Sequence, residues 1–469
     1  MVTLESQEIP QRMAALAARM RAEGLPELAT RAFLRAAEFV ALGGATTIAD
    51  AELEPLEDLP SMAALAAYEA VGREAASRAA VIKLNGGLGT SMGLSKAKSL
   101  LPVRPGFSFL DSIAEQILHQ RKAFGIELPL ALMNSYRTRD DSLAALQKYP
   151  DLAAGIPLDF VQHKVPRIDV ASWRPIEWPA DESLAWCPPG HGDLYIALES
   201  SGMLETLRAA GIRYAFVSNA DNLGAVLDLS ILGFFASQEL PLLMEVATRT
   251  EADKKGGHLA RRNGRLILRE VAQCPESDRA DFQDVAKHRY FNTNNLWLDL
   301  DALAAAQRET SDGLPLAVIK NEKRVDPKDS RSPLCLQLET AMGSAIECFD
   351  GAEAIVVPRE RFAPVKTTSD LLELWSDAYT KTEDSRMVPS DAQAKQNRVI
   401  DLDPRYFGRI DDFEARFPDG APSLAGCRVL RVRGDHRFGA DVVMQGVVEL
   451  ENDSATQVSI EAGARLGEG

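Results

Sequence analysis

A short apolar run that ends at a cluster of glycines places the tightest constraint on the fold of this chain. Residues 80–84 read AVIKL, and residues 84–93 continue as LNGGLGTSMG. The run predicts a buried parallel strand, and the glycines let a ligand approach the backbone because no Cβ stands in the way. Lys96 and Lys98 follow in the same loop. The stretch therefore predicts the phosphate-binding edge of an α/β sheet.

The glycine spacing differs from that of the two best-known phosphate loops. It matches neither GxGxxG nor GxxxxGK followed by Ser or Thr, because both lysines lie beyond the last glycine. What remains is an open backbone whose N–H groups can bind a base edge and phosphates, followed by two cations. Taken alone, the stretch leaves open a glycine-rich turn that binds no ligand.

From Ala80 onward, short apolar runs alternate with helical patterns, which is typical of an α/β fold. We therefore expect a mixed, mostly parallel Rossmann-like sheet flanked by helices. Ligands bind beyond the carboxyl ends of such strands, so the residues after each run are the candidate site residues. The predicted strands are residues 80–84, 128–133, 158–162, 213–217, 240–246, 265–271, 293–298 and 353–357.

The segment before this pattern is predicted to be helical. Apolar and alanine positions recur at helical spacing in residues 10–43 and again in residues 61–78. We assign residues 1–79 to an N-terminal helical region that packs against the catalytic domain as a scaffold.

The segment after it changes twice. The catalytic domain is predicted over residues 80–382 and ends with a helix from about Asp370, whereas residues 383–469 form a linker and a C-terminal module. The linker is the polar stretch up to Gln396. From about Cys427, short β-branched pairs separated by glycines predict the coils of a β-helix, with a small β-sandwich as the alternative.

Composition limits the partners of the chain. A net charge of −16 disfavours a general binder of nucleic acid or of anionic membranes. The five cysteines are scattered without a CxxC pair, which indicates reduced thiols in a cytoplasmic protein and neither a zinc site nor a disulfide framework. The N-terminus has no basic and then apolar leader, and no apolar run approaches about eighteen residues. We therefore expect neither export nor a membrane span.

Two polar residues, one after a predicted strand and one in a loop, are candidates for phosphate and metal chemistry. Asp221 lies just beyond residues 213–217, and its carboxylate suits Mg²⁺, although an Asx turn explains it equally well. His191 projects from a loop rich in proline and glycine at residues 188–193. It could donate to a phosphate oxygen or satisfy carbonyls of its own loop.

Two later stretches suit a sugar and a polyphosphate. Asn292, Asn294 and Asn295 offer amide donors and acceptors that match sugar hydroxyls. Lys366 follows a proline turn and could reach a polyphosphate. Each of these stretches also has an ordinary loop interpretation.

Taken in order, the stretches resemble the UTP–glucose-1-phosphate uridylyltransferase family from about residue 80 to about residue 450. The resemblance implies a nucleotidyltransferase that converts UTP and α-D-glucose 1-phosphate to UDP-glucose and pyrophosphate with Mg²⁺ as cofactor. The matching motifs are LNGGLGTSMG (84–93), PPGHGD (188–193), VSNxDNLG (217–224), FNTNNLW (291–297), LQLETA (336–341) and PVKxTSDLL (364–372).

The resemblance also implies a role for each matching position. Lys98 would bind the triphosphate and Lys366 would be the lysine central to catalysis. Residues 84–87 would approach the uracil and triphosphate through their backbone, and Gln162 with Gly190 would read the uracil. Asn219 would lie beside the nucleotide, His191 would bind the sugar phosphate, Asn294 the glucose and Asp221 the metal. The implied substrate-binding set is Leu84, Asn85, Gly86, Gly87, Gln162, Gly190, His191, Asn219, Asp221 and Asn294.

Two features depart from the family pattern. The family commonly reads CKGPKS after the last glycine, whereas residues 94–99 read LSKAKS. We assign the essential lysine to Lys98 by its distance from the glycines, with Lys96 as the alternative. The C-terminal module ends earlier than in the longer eukaryotic forms, which argues against oligomerisation through that end. A homo-oligomer is still one of the possible states.

Three other functions stay open from the sequence, and one of them is a structural role through the C-terminal coils. A related pyrophosphorylase that uses N-acetylhexosamine 1-phosphate or several sugar 1-phosphates would differ around residues 292–295. A non-catalytic nucleotide-binding protein is the third, and the retention of Asp221, Lys98 and Lys366 counts against it.

Overall fold

The computed structural model describes residues 7–391 and 398–467. Within this part of the chain, none of the helices has both the length and the apolar character that crossing a bilayer requires. The α-helices are α1 (Ile9–Ala22), α2 (Glu27–Ala41), α3 (Glu69–Ala75), α4 (Phe109–Phe124), α5 (Arg139–Leu146), α6 (Leu194–Ser200), α7 (Met203–Ala209), α8 (Leu229–Ser237), α9 (Arg279–Gln283), α10 (Leu300–Glu309), α11 (Thr368–Trp375), α12 (Pro404–Phe407) and α13 (Ile410–Arg416).

The strands range in length from two to ten residues. They are β1 (Ala79–Asn85), β2 (Pro102–Arg104), β3 (Phe107–Ser108), β4 (Leu130–Asn134), β5 (Asp159–Val161), β6 (Val165–Pro166), β7 (Ile168–Asp169), β8 (Trp186–Cys187), β9 (Tyr214–Asn219), β10 (Leu242–Thr248), β11 (His258–Arg262), β12 (Arg265–Arg269), β13 (Tyr290–Asp299), β14 (Val318–Arg324), β15 (Leu334–Thr340), β16 (Glu353–Val356), β17 (Tyr379–Lys381), β18 (Met387–Pro389), β19 (Val399–Leu402), β20 (Cys427–Arg433), β21 (His436–Phe438), β22 (Val443–Met444), β23 (Gly446–Glu451), β24 (Val458–Ile460) and β25 (Arg465–Leu466).

A nine-stranded sheet lies at the centre, in the order β12-β11-β13-β9-β1-β4-β5, with β10 and β16 attached beside β13. The pairs β9–β1, β1–β4, β4–β5 and β10–β16 are parallel, whereas β13 is antiparallel to β9, β10 and β11. Seven strands (β1, β4, β5, β9, β10, β11 and β16) therefore share one direction, and only β12 and β13 oppose them. The prediction of a mixed, mostly parallel sheet is confirmed.

Both faces of this sheet are covered, as a largely parallel sheet requires. Neighbouring residues of β1 point to opposite faces, so Val81 lies in one apolar core and Ile82 in the other. All eight predicted strands belong to this sheet. The strand β11 was not predicted, because its sequence HLARR has too few apolar residues to reveal it.

The N-terminal helices differ from the prediction. Residues 10–43 form two helices and not one pattern, because Gly24 adopts φ +74° and Pro26 follows before α2 begins. In residues 61–78 only α3 is an α-helix, and the rest consists of 3₁₀ turns. Residues 1–6, where the leader was expected to be absent, lie outside the described residues.

The end of the catalytic segment also differs from the prediction. The helix expected from Asp370 to about Thr382 is α11, which begins at Thr368 behind a capping box and ends at Trp375. The polar stretch predicted as a linker begins with a hairpin, since β17 pairs with β18. Its final part, residues 392–397, lies outside the described residues.

The C-terminal strands pair in parallel across intervals of 18 to 30 residues. β20 lies between β19 and β23, β21 pairs with β24, and β22 pairs with β25. Their inward residues, among them Leu430, Val432 and Phe438, belong to the same apolar core as Val81. This part of the chain is thus packed onto one face of the central sheet.

Helix α3 crosses α8 at a pair of glycines. A Cβ at Gly72 would lie 1.7 Å from the carbonyl oxygen of Leu229, and one at Gly233 would lie 1.9 Å from that of Tyr68. No ordinary Cβ contact is this short. Helix α3 can therefore pack this closely on α8 only because Gly72 and Gly233 have no Cβ.

We predict that Gly72→Ala lowers the free energy of unfolding by about 1–3 kcal/mol, the usual range for overpacking. Urea unfolding followed by circular dichroism measures this. Gly426→Ala is the matched control, because the nearest atom to its Cβ would be Gln445 Cγ at 3.5 Å, and we expect it to stay within about 0.5 kcal/mol of the parent. Equal losses in the two variants would contradict the packing argument.

Candidate active site

The predicted site residues lie at one edge of the central sheet. The parallel strands β1, β4, β5 and β9 all end there. Because β13 runs the opposite way, its first half reaches the same edge: Leu296 pairs with Val217, which places Asn294 beyond the end of that pairing. Residues that are far apart in sequence are thereby brought to one rim.

The glycine loop is open on this rim. Leu84 pairs in register with Asn219, and Gly87 is exposed with nothing within 4 Å of where its Cβ would be. The Asn85 side chain points away from this opening, since its Nδ2 donates to Asn134 Oδ1 at 2.7 Å. Asn85 can therefore offer only its backbone to a ligand.

Gln162, Gly86 and Gly190 form one small polar surface beyond β5. Gln162 Nε2 donates to the carbonyl oxygen of Gly190 at 2.8 Å, and a Cβ at Gly86 would lie 2.5 Å from Gln162 Oε1. Gly190 has φ +82°, and its Cβ would lie 2.3 Å from the carbonyl oxygen of Thr340. A side chain at either glycine would break this arrangement.

His191 is held as a neutral ring with a defined tautomer. The backbone N–H of Met342 donates to Nδ1 at 3.0 Å, so Nδ1 carries no proton and the ring proton lies on Nε2. Burial lowers the pKa of His191 to about 4. At neutral pH this side chain can donate a hydrogen bond to an anion without carrying a charge.

Lys98 and Asp221 form an ion pair, with Lys98 Nζ 2.6 Å from Asp221 Oδ2. Both side chains are about one-fifth exposed, at 20% and 21%. The backbone N–H of Lys98 also donates to the carbonyl oxygen of Gly87 at 3.0 Å. Lys96 is exposed, and its side chain forms no such pair within the described residues. The geometry distinguishes the two lysines that the sequence left in competition.

Asp221 fits a metal that arrives with a polyphosphate. Among the described residues, no three His, Cys, Asp or Glu side chains are grouped as metal ligands. Mg²⁺ commonly takes one or two carboxylates and completes its shell with phosphate oxygens and water. A single accessible carboxylate beside an anion site matches that chemistry and does not match a permanently bound ion.

Asn294 lies on a β-bulge. The register between β10 and β13 shifts between Glu245 and Val246, and Asn294 adopts φ +58° there. Asn292 stabilises the bulge, because its Nδ2 donates to Asn294 Oδ1 at 2.8 Å and its Oδ1 accepts from the Asn294 N–H at 2.9 Å. Asparagine tolerates this left-handed conformation better than most residues. The bulge turns Asn294 out of the ladder at the rim.

Lys366 lies in the loop that follows β16, with an exposed side chain. Its backbone N–H donates to Asp370 Oδ2 at 2.9 Å, which anchors it to the start of α11. Two residues earlier, Pro364 forms an antiparallel bridge with Asn222, the neighbour of Asp221. The two loops are therefore joined directly.

The structure adds residues that the sequence reasoning missed. The His163 N–H donates to Asp193 Oδ2 at 2.7 Å, and His163 Nδ1 lies 3.0 Å from the same carboxylate, which ties the end of β5 to the loop of Gly190. Burial lowers the pKa of His163, but Asp193 outweighs it and the net shift is upward. Lys83 and Glu245 are buried as well, and a charged residue inside an apolar run was the signal that could have found them.

Comparison with known proteins decides the family. A family model described as UTP--glucose-1-phosphate uridylyltransferase matches residues 32–445. The chain belongs to this family. The family member from Hordeum vulgare is 40% identical over 414 residues, which cover 88% of this chain and 83% of that protein. The protein of Schizosaccharomyces pombe, named as a probable UTP--glucose-1-phosphate uridylyltransferase, is 37% identical over 410 residues, covering 84% and 77%.

The fold of this chain matches solved structures of family members over almost its whole length. A mutant of UDP-glucose pyrophosphorylase from Leishmania major in complex with UDP-glucose has a TM-score of 0.89 and 41% identity, covering 99% of this chain and 98% of that one. A structure from Trypanosoma brucei, described as UDP-glucose phosphorylase, has a TM-score of 0.85 and 43% identity, covering 97% and 98%.

The lowered pKa of His191 predicts a pH dependence of stability. Its ordinary value is 6.5, so between about pH 4 and 6.5 the unfolded chain binds more protons than the folded chain. Stability therefore falls as pH falls through this window. Between pH 7 and 5 this group accounts for a loss of about 1–2 kcal/mol.

We expect His191→Gln to lose less stability than the parent between pH 7 and pH 5. Thermal unfolding in matched buffers measures the difference. His258→Gln is a positive comparison, because burial lowers the pKa of His258 well below its ordinary value and it should lessen the loss in the same direction. An unchanged loss in His191→Gln would show that the ring is not buried as a neutral group.

Proposed function

We propose that this chain transfers the uridylyl group of UTP to α-D-glucose 1-phosphate, giving UDP-glucose and pyrophosphate. The observation that carries the proposal is the meeting of the open glycine loop, the Lys98–Asp221 pair and the Lys366 loop at one rim of the sheet. Membership of the family supports it, since the relatives carry the name of this reaction.

The nucleotide would lie across the glycine loop. The backbone of residues 84–87 would approach the uracil and the triphosphate, with Asn219 beside it. Gln162 and Gly190 already share a hydrogen bond, and together they offer an amide and a peptide group to the edge of the base. The opening at Gly87 supports this placement, because it leaves room for a ligand where any other residue would carry a side chain.

The sugar phosphate would lie towards His191 and Asn294. The Nε2–H of the neutral His191 ring would donate to a phosphate oxygen, and Asn294 would bind a glucose hydroxyl from the bulge of β13. Both side chains are held by hydrogen bonds to their own surroundings, so little conformational entropy is lost when a ligand binds.

The reaction requires two anions to approach each other. An oxygen of the sugar phosphate attacks the α-phosphorus in line, the bond to the leaving pyrophosphate breaks, and no strong base is required because the nucleophile is already anionic. The residues contribute by orientation and by neutralising charge. We assign Lys98 to the triphosphate and Lys366 to the charge that develops at the reacting phosphate.

A bound Mg²⁺ would supply charge neutralisation on the phosphates, and Asp221 is the residue that would hold it. In the structure Asp221 is paired with Lys98, so the carboxylate and the ammonium satisfy each other. On nucleotide binding the ammonium would exchange this partner for phosphate oxygens. The pairing supports the assignment of both residues to the same phosphate site.

We also propose the division into residues 1–79, 80–382 and 383–469, with a short β-helix in the last segment. The parallel pairs of β19 to β25 support the β-helix, and the apolar core that they share with the catalytic segment supports a stabilising role. Assembly into a homo-oligomer stays a proposal. All five cysteines are unpaired thiols, which supports a reducing, cytoplasmic location.

The test of the reaction is pyrophosphate release from UTP with a panel of sugar 1-phosphates, with Mg²⁺ or with chelator. We expect turnover with glucose 1-phosphate, and its loss in chelator. Faster turnover with N-acetylglucosamine 1-phosphate would favour the related pyrophosphorylase. Tight UTP binding without turnover on any sugar 1-phosphate would favour the non-catalytic nucleotide-binding protein.

The lysine assignments give a second prediction. Lys366→Ala and Lys98→Ala should each lower kcat by about 10²–10³, the usual loss for one preorganised stabilising group. Lys96→Ala is the matched comparison in the same loop and should stay within about threefold of the parent. Near-normal turnover in Lys366→Ala would refute its central role, and a large loss in Lys96→Ala with a small loss in Lys98→Ala would transfer the role to Lys96.

A further inference from the structure

A buried polar network lies directly beneath the candidate site. Its centre is Glu245 in β10, whose side chain is fully buried. The carboxylate accepts from Arg361 Nε at 2.8 Å and from Arg361 Nη2 at 2.6 Å. It also accepts from Trp297 Nε1 at 3.0 Å and from Asn295 Nδ2 at 2.9 Å. All four donors are therefore directed at one carboxylate group.

Arg361 connects this centre to the loop of Lys366. Its carbonyl oxygen accepts from Asn222 Nδ2 at 2.9 Å and from Asn295 Nδ2 at 3.3 Å. Asn222 returns a bond to the same loop, because its Oδ1 accepts from the Ala363 N–H at 3.1 Å. The guanidinium also donates to the carbonyl oxygen of Val226 at 3.0 Å. Two loops and two strands thus share one set of hydrogen bonds.

Three members of the network are close in sequence to a residue that we assign to a substrate or metal. Asn222 follows Asp221, Asn295 follows Asn294, and Arg361 lies five residues before Lys366. The sheet pairs β9 with β13, whereas the loop after β16 is joined to the Asp221 loop by the Asn222–Pro364 bridge and by the side chains of the network.

Lys83 supports the network from below. This buried side chain donates to Ser218 Oγ and to the carbonyl oxygen of Ala225, both at 2.7 Å, so it holds the two ends of the Asp221 loop. Burial and, to a lesser extent, the nearby Arg361 guanidinium lower the pKa of Lys83, Glu245 and Asp221 oppose this, and the net result is a pKa of about 7.

Such a network is a poor source of stability but a good source of geometry. Replacing a buried ion pair by apolar groups of similar volume is often neutral or stabilising, because removing two charges from water costs so much. A bidentate contact between Arg and a carboxylate, in contrast, permits one relative orientation of the groups. What the network provides is a single arrangement of the loops that it joins.

We propose that Glu245, Arg361 and Asn222 are positioning residues that fix the Lys366 loop against the Asp221 loop. The proposal rests on the proposed function, since the position of Lys366 matters only if Lys366 acts on the phosphates. A displacement of about 1 Å in such a group can cost about 10²-fold in rate. The Glu245, Arg361 and Asn222 side chains are buried, so we expect their effect to pass through Lys366 and to appear in kcat.

The first test is a double-mutant cycle between Asn222→Ala and Lys366→Ala. Asn222→Ala removes both side-chain hydrogen bonds to the Lys366 loop, and it leaves the backbone bridge to Pro364 and the Glu245–Arg361 pair in place. We expect it to lower kcat by about 10–10²-fold and to change either KM by less than about threefold. In the Lys366→Ala background the same substitution should change kcat by less than about threefold, because the group that it positions is absent.

Arg361→Lys provides a second variant should Asn222→Ala unfold. It keeps the buried charge balance but replaces the planar fork by a point charge, so it should fold and still lose turnover. Its loss should also disappear in the Lys366→Ala background. Gln307→Leu is the control: this buried amide donates to the carbonyl oxygen of Tyr195, outside both loops, and should lower stability without lowering kcat.

The outcomes separate the two proposals. Three results would overturn the positioning role. In the first, the fold loss in kcat of the double variant equals the product of the two single losses. In the second, both network variants have a normal kcat, and in the third, the loss is confined to KM. Absence of UDP-glucose formation by the parent, or normal turnover in Lys366→Ala, would instead refute the proposed function itself. Circular dichroism and thermal unfolding of every variant show whether a lost activity reflects lost folding.

Discussion

The parallel pairing of β1 between β4 and β9 is the constraint on which the rest of the site depends. It fixes which residues are neighbours at the rim: Leu84 lies beside Asn219 and Asn85 beside Asn134. Because the side chains of β1 alternate between two apolar cores, a shift by one residue would exchange the cores and move every loop at the rim. The burial of apolar residues on both faces thereby sets the geometry of a polar site.

Electrostatics poses the second problem, since a chain with a net charge of −16 has to hold two anionic substrates. The structure meets it locally. Lys98 is paired with Asp221, and Lys366 projects from a loop that is anchored to Asp370. His191 is neutral and can donate a hydrogen bond to an anion.

Much of this could be predicted from the sequence, and the rest could not for identifiable reasons. Periodicity predicts the strands of the central sheet, because buried strands need apolar residues, and the motif order gives the family. Periodicity does not predict β11, because its sequence has few apolar residues and it forms a strand through its pairing with β12. It also misses the break at Pro26 and the early end of α11, where local capping and turn chemistry outweigh the helical pattern.

The same division applies to the site. Residues in motifs, such as His191 and Lys366, could be identified because their neighbours in sequence mark them. Glu245 and Arg361 could not be paired, because 116 residues separate them and only the folded sheet brings them together. Buried charges in apolar runs were visible as single letters, but their partners were not. Long-range polar pairing is information that only the tertiary structure contains.

The bulge at Asn294 also limits how the family can diversify. A residue at φ +58° can be Gly, Asn or Asp at little cost, whereas β-branched and bulky residues are strongly disfavoured in this region. Few side chains are therefore available at the position assigned to the sugar. New sugar preferences would have to evolve through surrounding residues on regular backbone, while this position stays almost fixed.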